Sequence, residues 1–439
     1  MRTSLRGPGW LATYVAVVIV PLIFMLIDPG ADVRGFWREL AVALGFVGLS
    51  MMGLQLVLVA RVKSVAAPFG EDALVHFHRY MGYAATTFIL AHPILLIVLV
   101  DATYLERVNP FTAPWAGRFG TLAILCLLAV VVTSVWRAAL RIPYEVWQAV
   151  HIALSTVAII AALVHVELIG NYVNRPWKRG LWIVMTVGLL AMFVWVRVLR
   201  PVMRTRRPWT VVSVTPERGG VYTLTLSPVG HDGFTFAPGQ FGWLSVNRSP
   251  FALTQHPFSF SSNGDDPSAV QMSIKELGDF TRTIKSIASG TRVYLDGPHG
   301  VFSPDRYDGP GFVFLAGGIG IGPVMSMLRT FAARGESRSC LLFFGVPLLA
   351  DATFREEIDI LTTQLALTVV DVVSEPSANW IGERGRITAD TLRRHLPSGY
   401  EALQYFICGP GAMQDAMEDA LGSLHVPRHR VHTERFNFV

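Results

Sequence analysis

The chain has 439 residues, 51% of them hydrophobic and only 16% charged, with a mean hydropathy of +0.43. That length allows two to four domains, and that balance excludes a disordered chain and fits a protein partly in lipid. Residues 1–207 hold 19 Lys and Arg against 9 Asp and Glu, whereas residues 208–439 hold 18 against 23, so the positive charge belongs to the apolar half, where it suits anionic lipid headgroups and gives no case for nucleic acid.

Six apolar stretches come first: 10–27, 40–60, 77–100, 120–136, 146–168 and 181–196. Each is near the ~17–25 residues a helix needs to cross a bilayer, which predicts a six-helix transmembrane bundle. Arg2 and Arg6 precede the first stretch, but no small-residue cleavage site follows Phe24 and Met25, so it reads as a span and not a signal peptide. With the N-terminus inside, the inner segments carry 11 Lys and Arg and the outer loops 7. This favours a multi-pass protein of the plasma (inner) membrane with both termini cytoplasmic.

Within two of these stretches lie four histidines at one repeated spacing: His78 and His92, then His151 and His165. A separation of 14 residues is close to four helical turns, roughly 21 Å, so both members of a pair fall on nearly the same face. A single intramembrane histidine can be a helix–helix hydrogen bond or a proton relay. Two equally spaced pairs on two helices, if these lie side by side, instead predict two bis-histidine sites at two depths, suited to two stacked haems. Zinc or iron–carboxylate sites would cluster Cys, Asp or Glu with the histidines, and here the nearest acid, Glu167, stands at the end of its stretch. Spans three and five run in the same direction, so His78 would pair with His151 on the inner side and His92 with His165 on the outer side. His76 falls on another face and reads as a membrane-border residue. Arg38, at the outer start of the second span, is placed to attract an anionic acceptor or product.

Arg and Pro between 197 and 208 mark a junction, after which the pattern changes. Short β-branched runs at 211–214, 221–226, 241–246, 270–274 and 291–295, with turns at Gly219–Gly220 and Pro238–Gly239, predict a small antiparallel β-barrel. From Gly311 the order becomes strand, glycine turn, helix: 312–316, 317–322, 324–334, then strand 340–344, helix 352–365 and strands 366–373 and 404–408. That is a doubly wound α/β layer. Its glycine run, Gly317, Gly318, Gly320 and Gly322 closed by Pro323, lets backbone approach a pyrophosphate at a helix N-terminus. Pro323 stands where a dinucleotide fingerprint has its third glycine. Three cysteines, Cys126, Cys340 and Cys408, form no CxxC or iron–sulfur spacing, and a disulfide framework is excluded. The expected division is 1–200 for the histidine-bearing helical domain, 201–308 for the barrel and 309–439 for the α/β domain.

Several motifs in this order resemble one family. The run from His256 to Ser262 (HPFSFSS) resembles the flavin motif of the ferredoxin–NADP reductase superfamily, in the form found in NADPH oxidases and ferric reductases. Residues 238–241 (PGQF) resemble its preceding strand, 274–281 (IKELGDFT) its second flavin-side motif, and 297–300 (GPHG) its barrel-closing turn. Residues 317–323 and Cys408, Gly409 and Pro410 resemble its nicotinamide motifs, and Glu434, Arg435 and Phe436 its aromatic terminus. The four histidines, with Arg79 beside the first, resemble the ferric reductase transmembrane domain.

The resemblance implies FAD, two b-type haems and NADPH or NADH as donor, in a ferric reductase or NADPH oxidase-like enzyme. Ser259 would hydrogen-bond near flavin N5, with His256, Pro257 and Phe258 along the flavin edge. Ile274, Lys275, Gly278 and Thr281 would line the pyrophosphate. Cys408 would approach the nicotinamide and Phe436 would stack on the flavin, with Phe438 a rival for that place. Arg79 would pair with a haem propionate. The acceptor would be a ferric chelate or dioxygen, which would yield superoxide; the alternative is delivery to a protein partner or quinone. Animal NADPH oxidases carry a further histidine one turn beyond the outer ligand of the third span, and here that position is Leu96. The segment after the second nucleotide-domain strand has no Arg before Arg355, and Ser374 is followed by Glu375, which leans towards NADH or dual use.

Overall fold

The structure is a computed structural model that describes residues 6–27, 35–66, 69–246, 249–252 and 255–435. The chain divides into two compact units, Met1–Arg200 and Pro201–Val439.

The first unit is helical. Its elements are α1 (Arg6–Leu26), α2 (Phe36–Val59), a single turn α3 (Lys63–Ala66), α4 (Glu71–Leu95), α5 (Trp115–Val135), α6 (Tyr144–Ile169) and α7 (Pro176–Val194). Five segments among the described residues are long and apolar enough to cross a membrane: Phe36–Val59, Glu71–Val100, Trp115–Val135, Tyr144–Ile169 and Pro176–Thr205. The first predicted span forms α1, whose apolar stretch Gly7–Ile23 is shorter. Chain punctuation sets the ends. Prolines at 114, 143 and 176 stand at helix starts, where a missing N–H costs nothing. Gly170 closes α6 at φ +69°, the left-handed cap that glycine adopts without strain. Pro93 removes a donor inside α4, and the helix continues beyond it as a π turn, Leu96–Val100. The core of this unit packs Phe46, Leu49 and Met52 of α2 against Cys126 and Leu127 of α5, Ala158 and Leu163 of α6, and Trp182 of α7.

The short helix α8 (Arg200–Thr205) leads into the second unit. Its first layer is an antiparallel sheet of β1 (Trp209–Glu217), β2 (Val221–Pro228), β3 (Phe241–Val246), β4 (His256–Ser259), β5 (Val270–Lys275) and β6 (Arg292–His299), in the order β4-β3-β6-β1-β2-β5, with α9 (Asp279–Thr283) after β5. The predicted barrel is a curled open sheet, whose edges β4 and β5 are joined among the described residues by one bridge, Phe260 to Met272. Inward residues alternate along β5, with Val270, Met272 and Ile274 in the core and Gln271 and Ser273 on the other face.

The second layer is parallel throughout: β7 (Gly311–Gly317), β8 (Ser339–Val346), β9 (Leu367–Val373), β10 (Glu383–Arg384), β11 (Gln404–Cys408) and β12 (Val431–Thr433), ordered β10-β9-β8-β7-β11-β12. Helices α10 (Ile321–Arg334), α11 (Arg355–Gln364), α12 (Ala389–His395) and α13 (Gly411–Ser423) connect the strands. Strands β10 and β12 and helices α12 and α13 are additions to the elements read from sequence; each strand is only two or three residues long, too short to show a period. All residues of β7 and β11 are buried, as central strands covered on both faces must be.

Candidate functional site

In the first unit, α4 presents His78 and His92 to His151 and His165 of α6. The rings of His78 and His151 have centroids 6.2 Å apart, and those of His92 and His165 6.4 Å. Two imidazoles sharing one metal, each with a nitrogen at about 2 Å, place their ring centres roughly 6 Å apart. Each ring is also held from behind. His92 Nδ1 lies 2.9 Å from the Ala41 carbonyl, and His165 Nδ1 2.7 Å from the Ala116 carbonyl. A carbonyl only accepts, so both Nδ1 atoms carry the proton and both Nε2 atoms keep a lone pair. Ser134 gives its hydroxyl proton to the Val130 carbonyl at 2.6 Å. It therefore accepts from His151 Nδ1 at 3.2 Å and from Trp147 Nε1 at 3.3 Å. One terminal amide atom of Gln55 lies 2.6 Å from His78 Nδ1. A second partner on the far nitrogen is what orients metal-ligating histidines.

Two glycines make this approach possible. A Cβ at Gly45 would sit 3.1 Å from His92 Nδ1, and one at Gly120 2.9 Å from His165 Nδ1. The helices α2 and α5 thus lie hard against the backs of the outer rings. Around that outer pair opens a cavity of about 510 Å³ whose wall includes His92, His165 and Leu96 and whose polar members include Arg38, Arg107 and Tyr104. Its size falls within the roughly 300–1,000 Å³ of small-molecule sites. Arg107 stacks on Tyr104 at 4.8 Å, and Arg38 Nε is buried without a hydrogen-bond partner among the described residues. Arg79 is exposed on α4 beside His78. The two-imidazole donor sets, the protonated Nδ1 atoms of His92, His165 and His151 and the cavity fit a haem; no group of three or more His, Cys, Asp or Glu with metal-site geometry occurs among the described residues.

In the second unit the predicted flavin residues gather on β4, β5 and α9. Ser259 closes β4 opposite Phe241, and Pro257 faces Trp243. The His256 ring stacks on Phe280 at 3.6 Å and 10°, and Phe258 is nearly parallel to Phe280 at 6.1 Å, so the three rings lie nearly parallel. Ile274 points into the sheet core and offers a ligand only its backbone. Lys275 ends β5, half-buried and with no ion pair among the described residues. The Thr281 hydroxyl accepts from the amides of Leu277 and Gly278, both at 2.8 Å, so it shapes the turn that Gly278 begins.

The glycine run lies at the carboxyl end of β7, and Cys408–Pro410 at the carboxyl end of its neighbour β11. The chain order reverses between these two strands, which is where open α/β sheets bind ligands. Gly318 adopts φ +54°, and a Cβ at Gly320 would fall 2.1 Å from the Cys408 carbonyl. The two turns therefore touch backbone to backbone, ahead of the N-terminus of α10 with Gly322 and Pro323 in its first turn. Gly409 similarly leaves room for Gly317, 3.2 Å from its would-be Cβ. Cys408 is 3% exposed and packs in the nucleotide-domain core; burial, with Glu434 nearby, pushes its thiol well above the ordinary range. Phe436 and Phe438 lie outside the described residues. The orienting groups of the histidines, Ala41, Gln55, Ala116 and Ser134, were not legible in the sequence; only helical glycines at 45 and 120 hinted at close packing there.

An antiparallel flavin-type sheet joined to a doubly wound nucleotide layer, in one chain with apolar spanning helices, defines a membrane flavin oxidoreductase. Comparison with known proteins agrees. Residues 44–162 match the family described as "Ferric reductase like transmembrane component", residues 204–303 "FAD-binding domain", and residues 314–419 "Oxidoreductase NAD-binding domain". These three parts, in this order, match a ferric reductase or NADPH oxidase-like family. Among curated proteins it is 29% identical over 243 residues to the reductase component of propane 2-monooxygenase from Rhodococcus jostii, an alignment covering 53% of this chain and 63% of that relative. It is 28% identical over 236 residues to ferredoxin–NADP reductase B of Sorangium cellulosum, covering 52% and 96%. A solved cytochrome P450 reductase from Amycolatopsis is 25% identical, with a TM-score of 0.46 over 52% of this chain and 69% of that one. The chain thus spans less than two thirds of the length of the first of these relatives.

Proposed function

We propose that the chain takes electrons from NADPH or NADH at the cytoplasmic side of the plasma membrane and moves them through FAD and two b-type haems to a small acceptor outside, a ferric chelate or dioxygen. The observation that carries this reading is the pair of facing imidazoles at each of two levels, 6.2 Å and 6.4 Å between ring centres. In this reading α1 completes a six-span bundle. His78 and His151 hold the inner haem, and His92 and His165 the outer one. When bound, FAD takes up a hydride and the haem irons take single electrons, which converts a two-electron donor to one-electron delivery.

The chain's residues bind and orient. The turns at 317–323 and 408–410 seat the dinucleotide, with Cys408 beside the nicotinamide. Ser259 hydrogen-bonds the flavin near N5, the parallel rings of His256, Phe258 and Phe280 border it, and Phe436 covers it. Lys275 supplies positive charge to the pyrophosphate beside Gly278 and Thr281. Arg79 serves an inner propionate. Arg38 and Arg107, on the wall of the outer cavity, serve the outer one; Arg38 Nε is buried without a partner among the described residues, and a guanidinium placed there calls for an anion. Two imidazoles per iron leave no open coordination position, so Arg38, Arg107 and Tyr104 are what the chain offers a visiting acceptor.

A second reading, delivery to a protein partner or quinone, draws on the relatives, several of which are named as reductase components of larger systems. Haem quantitation and a reduced-minus-oxidised visible spectrum of the purified protein test the core claim. Two b-type haems per chain are expected, with one lost in His78→Ala and the other in His92→Ala; a haem-free spectrum overturns it. Turnover with ferric chelate under anaerobic conditions, dye reduction abolished by superoxide dismutase, or turnover only with an added partner then separates the acceptors.

A further inference from the structure

The flavin sheet and the nucleotide layer meet along a polar seam, with Arg329 at its centre. The guanidinium makes four hydrogen bonds: to Glu357 Oε1 and Oε2, both at 2.6 Å, to the Ser261 carbonyl at 2.5 Å and to Gln271 Oε1 at 3.1 Å. It also stacks on Phe354 at 4.9 Å. One side chain thus ties α10 to α11 and to the strand that carries the flavin motif. Its neighbours on α10 repeat the connection. The Thr330 hydroxyl accepts from the Gly264 amide at 2.9 Å. Arg334 binds both oxygens of Asp265, at 2.7 Å and 2.8 Å, and Asp305 at 2.8 Å.

The facing side of the flavin sheet is polar to match. Ser261 and Ser273 hydroxyls are 2.8 Å apart, Ser273 and Thr223 3.0 Å, and Thr223 donates to Glu217 at 2.9 Å. Burial holds the Glu217 carboxyl above the ordinary carboxylate range, against the pull of Arg329. Ser261, Ser273 and Thr223 are all under 9% exposed. Buried hydroxyls and a guanidinium left only 16% exposed are costly unless every partner is in place, so such a seam has essentially one geometry. An apolar seam would tolerate sliding.

We infer that Arg329 is a positioning residue: through Ser261 it fixes the flavin strand, two residues beyond Ser259, against the helix whose first turn closes the nucleotide's glycine loop. Both ends of the hydride's path are then set by one rigid element, since Gly318–Gly320 leads directly into α10 and Arg329 lies two turns further along it. The inference rests on the assignment of FAD and nicotinamide to these two motifs. It predicts a specific split. The Arg329 guanidinium is already engaged by Glu357, Ser261 and Gln271 and is not offered to either ligand, so affinity for each is retained, whereas the transfer between them depends on sub-ångström alignment and misplacement of about 1 Å costs on the order of 100-fold.

The test is anaerobic stopped-flow reduction of the flavin, on the full-length protein in detergent, titrated with NADH and with NADPH. Arg329→Gln is expected to lower the saturating rate of flavin reduction about 10- to 100-fold, with FAD content and the apparent nucleotide Kd within about twofold of the parent. Arg329→Lys, which keeps the charge but loses the fork, is expected to fall between the two. It also serves if the Gln variant does not fold. A parent rate in either folded variant overturns the inference. So does loss of FAD and of thermal stability with an unchanged rate in the fraction that stays loaded, since that marks a purely structural bond. If the parent itself is reduced by neither nucleotide, the assignment of function fails, and this outcome is distinct from failure of the strap.

Discussion

Gly120→Ala is a one-carbon test of the outer site. The new Cβ would stand 2.9 Å from His165 Nδ1 and 3.1 Å from Cε1, whereas non-bonded carbon contacts settle near ~3.5–4.0 Å. The ring must therefore retreat by about 0.5–1 Å or α5 must shift. His165 is no flexible side chain that swings aside cheaply, because its Nδ1 is fixed to the Ala116 carbonyl at 2.7 Å. Retreat lengthens that bond or pushes Nε2 towards His92, whose ring is backed by α2. Overpacking a fixed contact costs about 1–3 kcal/mol, which is a loss of roughly 10- to 100-fold in affinity and equals the usual effect of disturbing the orienting partner of a metal-bound histidine. The assay is haem occupancy with visible spectra and redox titration of the purified variant. One haem should be lost or shifted in potential while the His78/His151 haem and the FAD are untouched. Gly188→Ala on α7, where a Cβ meets nothing within 4 Å, is the control and should match the parent. Two haems with parental potentials in Gly120→Ala would refute the argument that backbone packing pins the ring.

Two further outcomes follow from the second unit. Arg355 is held by Asp371 at 3.0 Å and by Asp359, which leaves it engaged when a nucleotide arrives. Glu375 stands exposed after β9. The expected result is a kcat/KM for NADH at least equal to that for NADPH, with Glu375→Ser moving the ratio towards NADPH; a strong NADPH preference in the parent contradicts it. Burial pushes the Cys340 thiol up to about 12 and raises Cys408 as well. At pH 8 only about one Cys340 in ten thousand is then a thiolate, and the thiolate is what reacts. Iodoacetamide at pH 8 should label neither cysteine until the protein is denatured, and mass spectrometry showing prompt labelling of folded Cys408 would contradict this.

The sequence was informative wherever function depends on periodicity or on a contiguous motif. Four helical turns between His78 and His92, and again between His151 and His165, place each pair on one face without any knowledge of packing. The glycine run after an apolar strand and the order of the flavin motifs likewise announce a nucleotide layer behind a flavin sheet. Short elements were silent, since β10 and β12 have too few residues to show a period and take their form from neighbouring strands.

What the sequence could not supply is whatever depends on residues far apart in the chain meeting in space. That Ala41 and Ala116 would lend their carbonyls to His92 and His165, 51 and 49 residues away, depends on how closely α2 and α5 pack, and backbone carbonyls carry no residue signature. Arg329 is one arginine among many on a helix until folding sets Ser261 and Glu357 on either side of it. Local spacing determined which residues face together; the tertiary structure decided which proton sits on which nitrogen and which strand is tied to which helix, because hydrogen bonds fall off within a few tenths of an ångström and only packing fixes distances that finely.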